Sequence, residues 1–398
     1  MVERLTTLLH EEAAELVVPP APAEAILQRA RRDRRRRRVS EAAAGLAAVA
    51  VVVAGTGVVI SRGGGHESDA QQRFASASPG AAYQDYGAFA AGSTVYIGNH
   101  QVRFPEKVKA LYYTSLGVLV RMGHHAYTDE GGPSHYTLIH PDGTTKDIDL
   151  RMGDRVPGTD PDSPYVAYAE PAGATSPLSA VETRKVGEWS LVVVSLETGT
   201  EVARTNVSGF FTWGGWEAPP VDLAGSRMWA LLDDGWTEFD WAAGTTRLVP
   251  GTANAPMEAA HGRYALYDDG RQIDWLVKDF VTGALVRTVP MNPEDNAGNL
   301  SPDGRYVRYD GGANAAFGDK GKLIIPPTPS RFFSLETGET VALPQRVFWG
   351  WTPDGAALSV DGEKDQVTVC DPGTGACDRI HLEIGSGKVK LGGLSYES

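Results

Sequence analysis

The chain has 398 residues, 42% of them apolar and 22% charged, so it can bury a large core and does not have a disordered composition. Its net charge is −13, and its two cysteines exclude a disulfide-built scaffold and any four-cysteine zinc site. The 46 Gly and 25 Pro call for many tight turns.

Residues 1–40 form a basic tail with nine Arg and no Lys against six acids. Leu5, Leu8, Leu9, Ala13 and Leu16 recur at three- and four-residue steps, the pattern of an amphipathic helix. Val18-Pro19-Pro20-Ala21-Pro22 ends it, and residues 23–31 can resume a helix. So short a helix cannot hide its apolar face alone. Residues 1–28 therefore offer a contact to a cytoplasmic partner or the membrane surface, or else fray without one. A zinc-binding module is excluded here on ligand count, because the tail holds His10 and no Cys.

Residues 41–61 are predicted to be a transmembrane helix. From Ala42 to Ile60 there is no charge, and 19 helical residues rise about 28 Å, near the thickness of a bilayer core. Arg34, Arg35, Arg36, Arg37 and Arg38 precede this stretch, whereas only Arg62 and three glycines follow it. The positive-inside rule then sets the N-terminus in the cytoplasm and everything after residue 61 outside. A cleaved signal peptide would need a leading region of about 40 residues, far beyond the usual length, so the reading is an uncleaved single-pass signal-anchor in the cell membrane.

Residues 62–82 read as a flexible polar linker, and 83–398 as an extracytoplasmic domain. From residue 62 onward there are 28 basic and 43 acidic residues, a net of −15, which repels phosphate backbones and argues against nucleic acid as a partner. This body has no long helical pattern. A turn closing on glycine recurs between apolar strands, at His140–Gly143, Leu196–Gly199, Trp241–Gly244, Phe280–Gly283, Leu335–Gly338 and Pro372–Gly375. Glycine supplies the positive φ that such hairpins need. Successive glycines lie 56, 45, 39, 55 and 37 residues apart, a spacing that fits four-stranded propeller blades. A further strand precedes each hairpin: 117–120, 165–168, 228–231, 264–267, 306–309 and 357–360.

Two of these strands are entered by Ser301-Pro302-Asp303-Gly304 and Thr352-Pro353-Asp354-Gly355. With these turns the region of about 100–384 resembles the WD40-like repeats of bacterial TolB-type propellers. The nine Trp are never followed by Asp, so the resemblance is not to true WD40 repeats. It implies an all-β propeller and says nearly nothing about activity. Six repeats fill 105–384. The leftover segments, 94–97 with 101–104 at one end and 388–391 at the other, would pair in a composite closing blade and make seven; six blades is the alternative.

Candidate chemistry is sparse. Cys370 and Cys377 flank a short turn and are expected to form a disulfide, with two buried thiols as the alternative. His124, His125, His135 and His140 are weak metal-ligand candidates, because no spacing among them sets three imidazoles on one face. Asp160, Asp162, Asp361 and Glu363 lack the ligand alternation of a calcium loop. Trp213, Trp216, Trp349 and Trp351 are candidates for a ligand surface, such as a sugar site, and packing between blades explains them equally well. No catalytic motif and no cofactor site is read. The expected function is a membrane-anchored module that binds an extracytoplasmic protein, peptide or glycan. The alternative is an extracytoplasmic hydrolase or cyclotransferase with its site in the central channel.

Overall fold

Seven antiparallel sheets, each of four strands, make up the body. The structure, a computed structural model, describes residues 65–394 except 126–133, 151–155, 174–184, 213–217, 253–256, 262, 269–273, 280, 291–298, 311–315, 318–322, 325–328 and 344–347. The tail 1–40 and the segment 41–61, with Arg34–Arg38, lie outside the described residues. Among the described residues no helix is long and apolar enough to cross a membrane.

Six blades follow in chain order: one (107–148), two (158–208), three (221–248), four (257–290), five (299–343) and six (350–381). Blade seven is composite. Its strand order is His100–Arg103, Thr94–Ile97, Ala88–Ala91 and then Val389–Leu391, with Ala90 opposite Lys390. The expected closing hairpin thus gains one more strand, Ala88–Ala91, and it is this strand that pairs with the C-terminal one. Blade five carries an inserted hairpin of Ala316–Phe317 with Leu323–Ile324.

The ring closes because each blade shares a core with the next. Among the described residues seven apolar clusters occur, one at each blade interface. Leu119 and Val166 meet between blades one and two, Val193 and Met228 between two and three, and Phe332 and Trp351 between five and six. Burying each such side chain contributes about 1.5–3 kcal/mol. The first strands of successive blades touch from blade seven round to blade five, which sets them innermost. Tyr113, on the first strand of blade one, ties the closure. Its hydroxyl donates to the Trp351 carbonyl (2.7 Å) and accepts from the Ala88 amide (2.9 Å), so one phenol joins blades one, six and seven.

Strand alternation sorts the connections onto two faces. One face carries the turns between the first and second strands and between the third and fourth. These include the recurrent glycine turns, such as His140–Gly143, where the Gly143 amide donates to the His140 carbonyl (2.9 Å) with φ at +81°. The 301–305 turn lies there too. Ser301 Oγ donates to Asp303 Oδ1 (2.6 Å) and accepts from the Arg305 and Tyr306 amides (3.1 and 3.0 Å). Gly304 sits at φ +66° against the Tyr264 ring of the neighbouring blade, where no Cβ fits.

The expected flexible linker is corrected. Within 62–82 the chain forms helix α1 (Gly65–Ser76) and begins helix α2 (Pro79–Tyr86). Ser78 caps α2 by accepting the Ala81 amide, and Pro79 suits its first turn. On α1, Ala70 and Phe74 lie four residues apart and are both buried, and the Phe74 ring meets Tyr86 edge-on at 5.1 Å. Its polar composition hid this helix, because only Ala70 and Phe74 mark its buried side and hydrogen bonds add to their contact. The Gln71 side chain donates to the His381 carbonyl (3.2 Å) and accepts the His381 amide (2.9 Å) on the outer strand of blade six. Arg73 pairs with Asp378 on the same strand at 2.7 Å. The helix thereby covers an exposed sheet edge.

Candidate functional site

In the helical collar, α2 lies on the tight-turn face, while α1 runs along the outer strand of blade six. Tyr83 of α2 donates to the Gly117 carbonyl in the turn of blade one (2.7 Å), and burial raises the pKa of its phenol well above the ordinary value. Beside the collar is a cleft of about 670 Å³, bounded by Arg73, Asp85 and Tyr86 of the helices and by Arg305, Asp354 and Asp378 of blades five and six.

The cations of this cleft are engaged by the protein itself. Arg73 is held by Asp378, whose hydrogen bond and charge raise its pKa. Burial opposes the Arg305 charge, but the Asp303 carboxylate outweighs it and keeps the guanidinium pKa above its ordinary value. Arg305 also donates to the Asp354 carbonyl (2.8 Å), linking the turns of two blades. Such an arrangement fastens the collar and turns together, as matched hydrogen-bonded charges do.

The opposite face carries the connections between the second and third strands and those between blades. Five of its intervals are long, 124–134, 149–157, 172–187, 209–220 and 311–329, whereas 233–234 and 362–365 are short turns. Two large apolar side chains stand exposed in its inter-blade connections, Phe210 at 56% and Phe348 at 74%, each beside a buried aromatic, Phe211 and Trp349. The sequence signal for both was a doubled aromatic in an inter-blade connection, Phe210-Phe211 just after the outer strand of blade two and Phe348-Trp349 at the start of blade six, and strand periodicity passes over it.

The predicted site residues scatter. His124 and His125 are exposed on the long-connection face. His135 begins the third strand of blade one, 3.9 Å from the Glu106 carboxylate. His140 follows the far end of that strand on the opposite face, with Nδ1 3.0 Å from the Leu116 carbonyl. The four imidazoles therefore do not converge. Among the described residues no group of three or more metal-ligating side chains occurs.

Trp349 and Trp351 are 1% and 0% exposed and pack edge-on against Phe332 at 5.9 and 5.5 Å. They are core between blades five and six, which corrects their reading as a ligand surface. Trp213 and Trp216 lie outside the described residues. A disulfide joins Cys370 and Cys377, which face one another on adjacent strands of blade six. Its Cys370 end is buried and its Cys377 end is exposed at the cleft.

Compared by sequence, the chain matches no protein-family model and no curated protein. Compared by structure, it is similar to TolB from Acinetobacter baumannii, at 11% identity and a TM-score of 0.36 over 77% of this chain and 67% of that one. It is similar to the β-propeller domain of Cps50 (Swd1) from Myceliophteria thermophila, at 11% identity and a TM-score of 0.36 over 73% and 98% of the two chains. One of two prolyl endopeptidases matches at 14% identity and a TM-score of 0.48 over 82% of this chain and 54% of the longer one. Likenesses this distant carry nothing about activity.

Proposed function

We propose that the chain is a single-pass membrane protein whose extracytoplasmic propeller works by binding a protein partner through its long-connection face. The contrast between the two faces carries this reading. Tight turns and helix α2 occupy one face, while the other presents the five long connections, with Phe210 and Phe348 exposed in its inter-blade connections. Long surface connections on a rigid scaffold are where recognition concentrates, because they vary without disturbing the core. The membrane location rests on the uncharged stretch Ala42–Ile60 behind Arg34–Arg38. The body's charge of −15 favours a cationic partner and an attachment that weakens with salt.

The experiment combines topology and capture. Reporter fusions after residues 30 and 398 are expected to report opposite compartments. Full-length chain solubilised from its membranes is expected to retain one discrete partner that about 500 mM salt releases. Reporters in one compartment, or turnover of a substrate across a hydrolase panel, would overturn the reading.

A further inference from the structure

Helix α1 is docked on the outer strand of blade six, Cys377–His381. That strand is the last of its sheet, paired with Gln366–Cys370 on one side and met by α1 on the other. Asp378 takes the Arg73 guanidinium at 2.7 Å, His381 exchanges two hydrogen bonds with the Gln71 side chain, and Phe74 shares a core with Ile380. Ile380 is the strand's one buried residue, so its apolar hold on the blade is small. The bond from Cys377 to Cys370 is its covalent hold, and it lies next to Asp378 in the chain.

The two sulfurs sit in unlike places. Cys370 is buried in the core with Phe332, Trp349 and Trp351. Cys377 is exposed and lines the cleft beside the collar, so a thiol entering that cleft meets the Cys377 end of the bond. Both ends are also at ease when reduced, because an apolar core suits a neutral thiol and water suits the other. The intervening turn has bonds of its own. The Gly373 amide donates to Asp371 Oδ1 (2.7 Å) and the Gly375 amide to the Asp371 carbonyl (2.8 Å). Opening the bridge therefore leaves the blade in place and loosens its outer strand, an edge with few buried contacts.

We propose that the Cys370–Cys377 bond is a redox latch that holds α1 on blade six and is opened by a dithiol attacking at Cys377. One thiolate of the dithiol attacks Cys377 Sγ, and the electron pair of the S–S bond passes to Cys370 Sγ, which takes up a proton. The second thiolate then displaces Cys377 from the mixed disulfide, and Cys377 takes up a proton in turn. The bridge ends as two thiols and the dithiol as its own disulfide. Helix α1 then leaves the strand, while α2 stays fastened to blade one through Tyr83. The 12 residues of α1 join the free chain that follows residue 61, which lengthens the reach of the propeller from its anchor. That last consequence rests on the membrane reading above; the latch does not.

Hydrogen exchange of the full-length chain in detergent, read by mass spectrometry before and after treatment with dithiothreitol, tests the latch. Dithiothreitol is expected to open the bridge without denaturant. Exchange in 66–76 and 377–381 is expected to speed up about tenfold, with blades one to four unchanged, and to slow again on reoxidation. Cys370→Ser with Cys377→Ser is expected to give the fast pattern with and without dithiothreitol. A bridge that opens only in denaturant overturns the proposal. Reduction that leaves 66–76 unchanged, or that speeds every blade alike, overturns it as well. Failure of the membrane reading shows separately, as reporter fusions in one compartment.

Discussion

The Tyr113 hydroxyl donates a 2.7 Å hydrogen bond to the carbonyl of Trp351, 238 positions away in the chain. It also accepts the Ala88 amide, and burial raises its pKa, so it stays a neutral phenol across the physiological range. Tyr113→Phe keeps the ring and strands two backbone groups in a dry site. The expected loss is about 1–3 kcal/mol in chemical denaturation, with the ring otherwise intact. An unchanged midpoint would show that this phenol does not secure the closure.

Gln71 acts on the outer strand of blade six as a short piece of backbone would, filling both the donor and the acceptor of His381. Gln71→Ala removes both bonds at a part-exposed edge. The cost is expected to be local, about 1 kcal/mol, and to appear as faster hydrogen exchange in 66–76 and 377–381 with the rest of the propeller unchanged. Uniform acceleration across all blades would instead mean that the collar is part of the global folding unit.

The Cys370–Cys377 bond closes a loop of sequence separation 7 at the end of a hairpin. Mass spectrometry of protein from its native envelope is expected to find the linked peptide. Replacing both cysteines by serine is expected to cost about 2 kcal/mol, since so short a loop restricts the unfolded chain only modestly. High-yield labelling of free thiols at these positions would contradict this.

Acid stability is expected to depend on particular aspartates. The hydrogen bond from Arg227 holds the Asp240 pKa below its ordinary value, and that from Lys364 does the same for Asp361. A carboxylate lowered in the folded state contributes stability above its unfolded pKa and loses it as pH falls through the folded value. The melting temperature should therefore drop progressively below about pH 4, and less steeply in Asp240→Asn. Asp160 runs the other way. Burial raises its pKa, so the folded state takes up that proton first and gains stability as pH falls through the raised value. Asp160→Asn should remove that gain, and identical pH profiles for both variants and the parent would contradict the assignment.

The blades were legible because their turns are local chemistry. Gly143, Gly199 and Gly375 each close a hairpin at positive φ, and that demand is written in one residue. The composite blade was legible as an unfilled pairing at both ends, although Ala88–Ala91 lacked the alternation of a half-exposed strand because all four of its residues are buried. The collar was missed because Gln71 and Arg73 dock through groups whose partners lie more than 300 residues away. Trp349 and Trp351 were readable as aromatic, but only the packing of Phe332 decides that they face inward. The Phe210 loop depends on Gly187 and Asp233, which sequence spacing does not bring together.

Photo-cross-linking from the two faces, in the full-length chain in its native membrane, tests binding through the long-connection face most directly. A photoreactive residue at Phe210 is expected to capture one recurrent basic protein, in a yield that falls steeply between about 50 and about 500 mM salt. The same residue at Asp142, on the tight-turn face, is expected to capture none. Equal capture from both positions, or capture only from Asp142, would contradict the account.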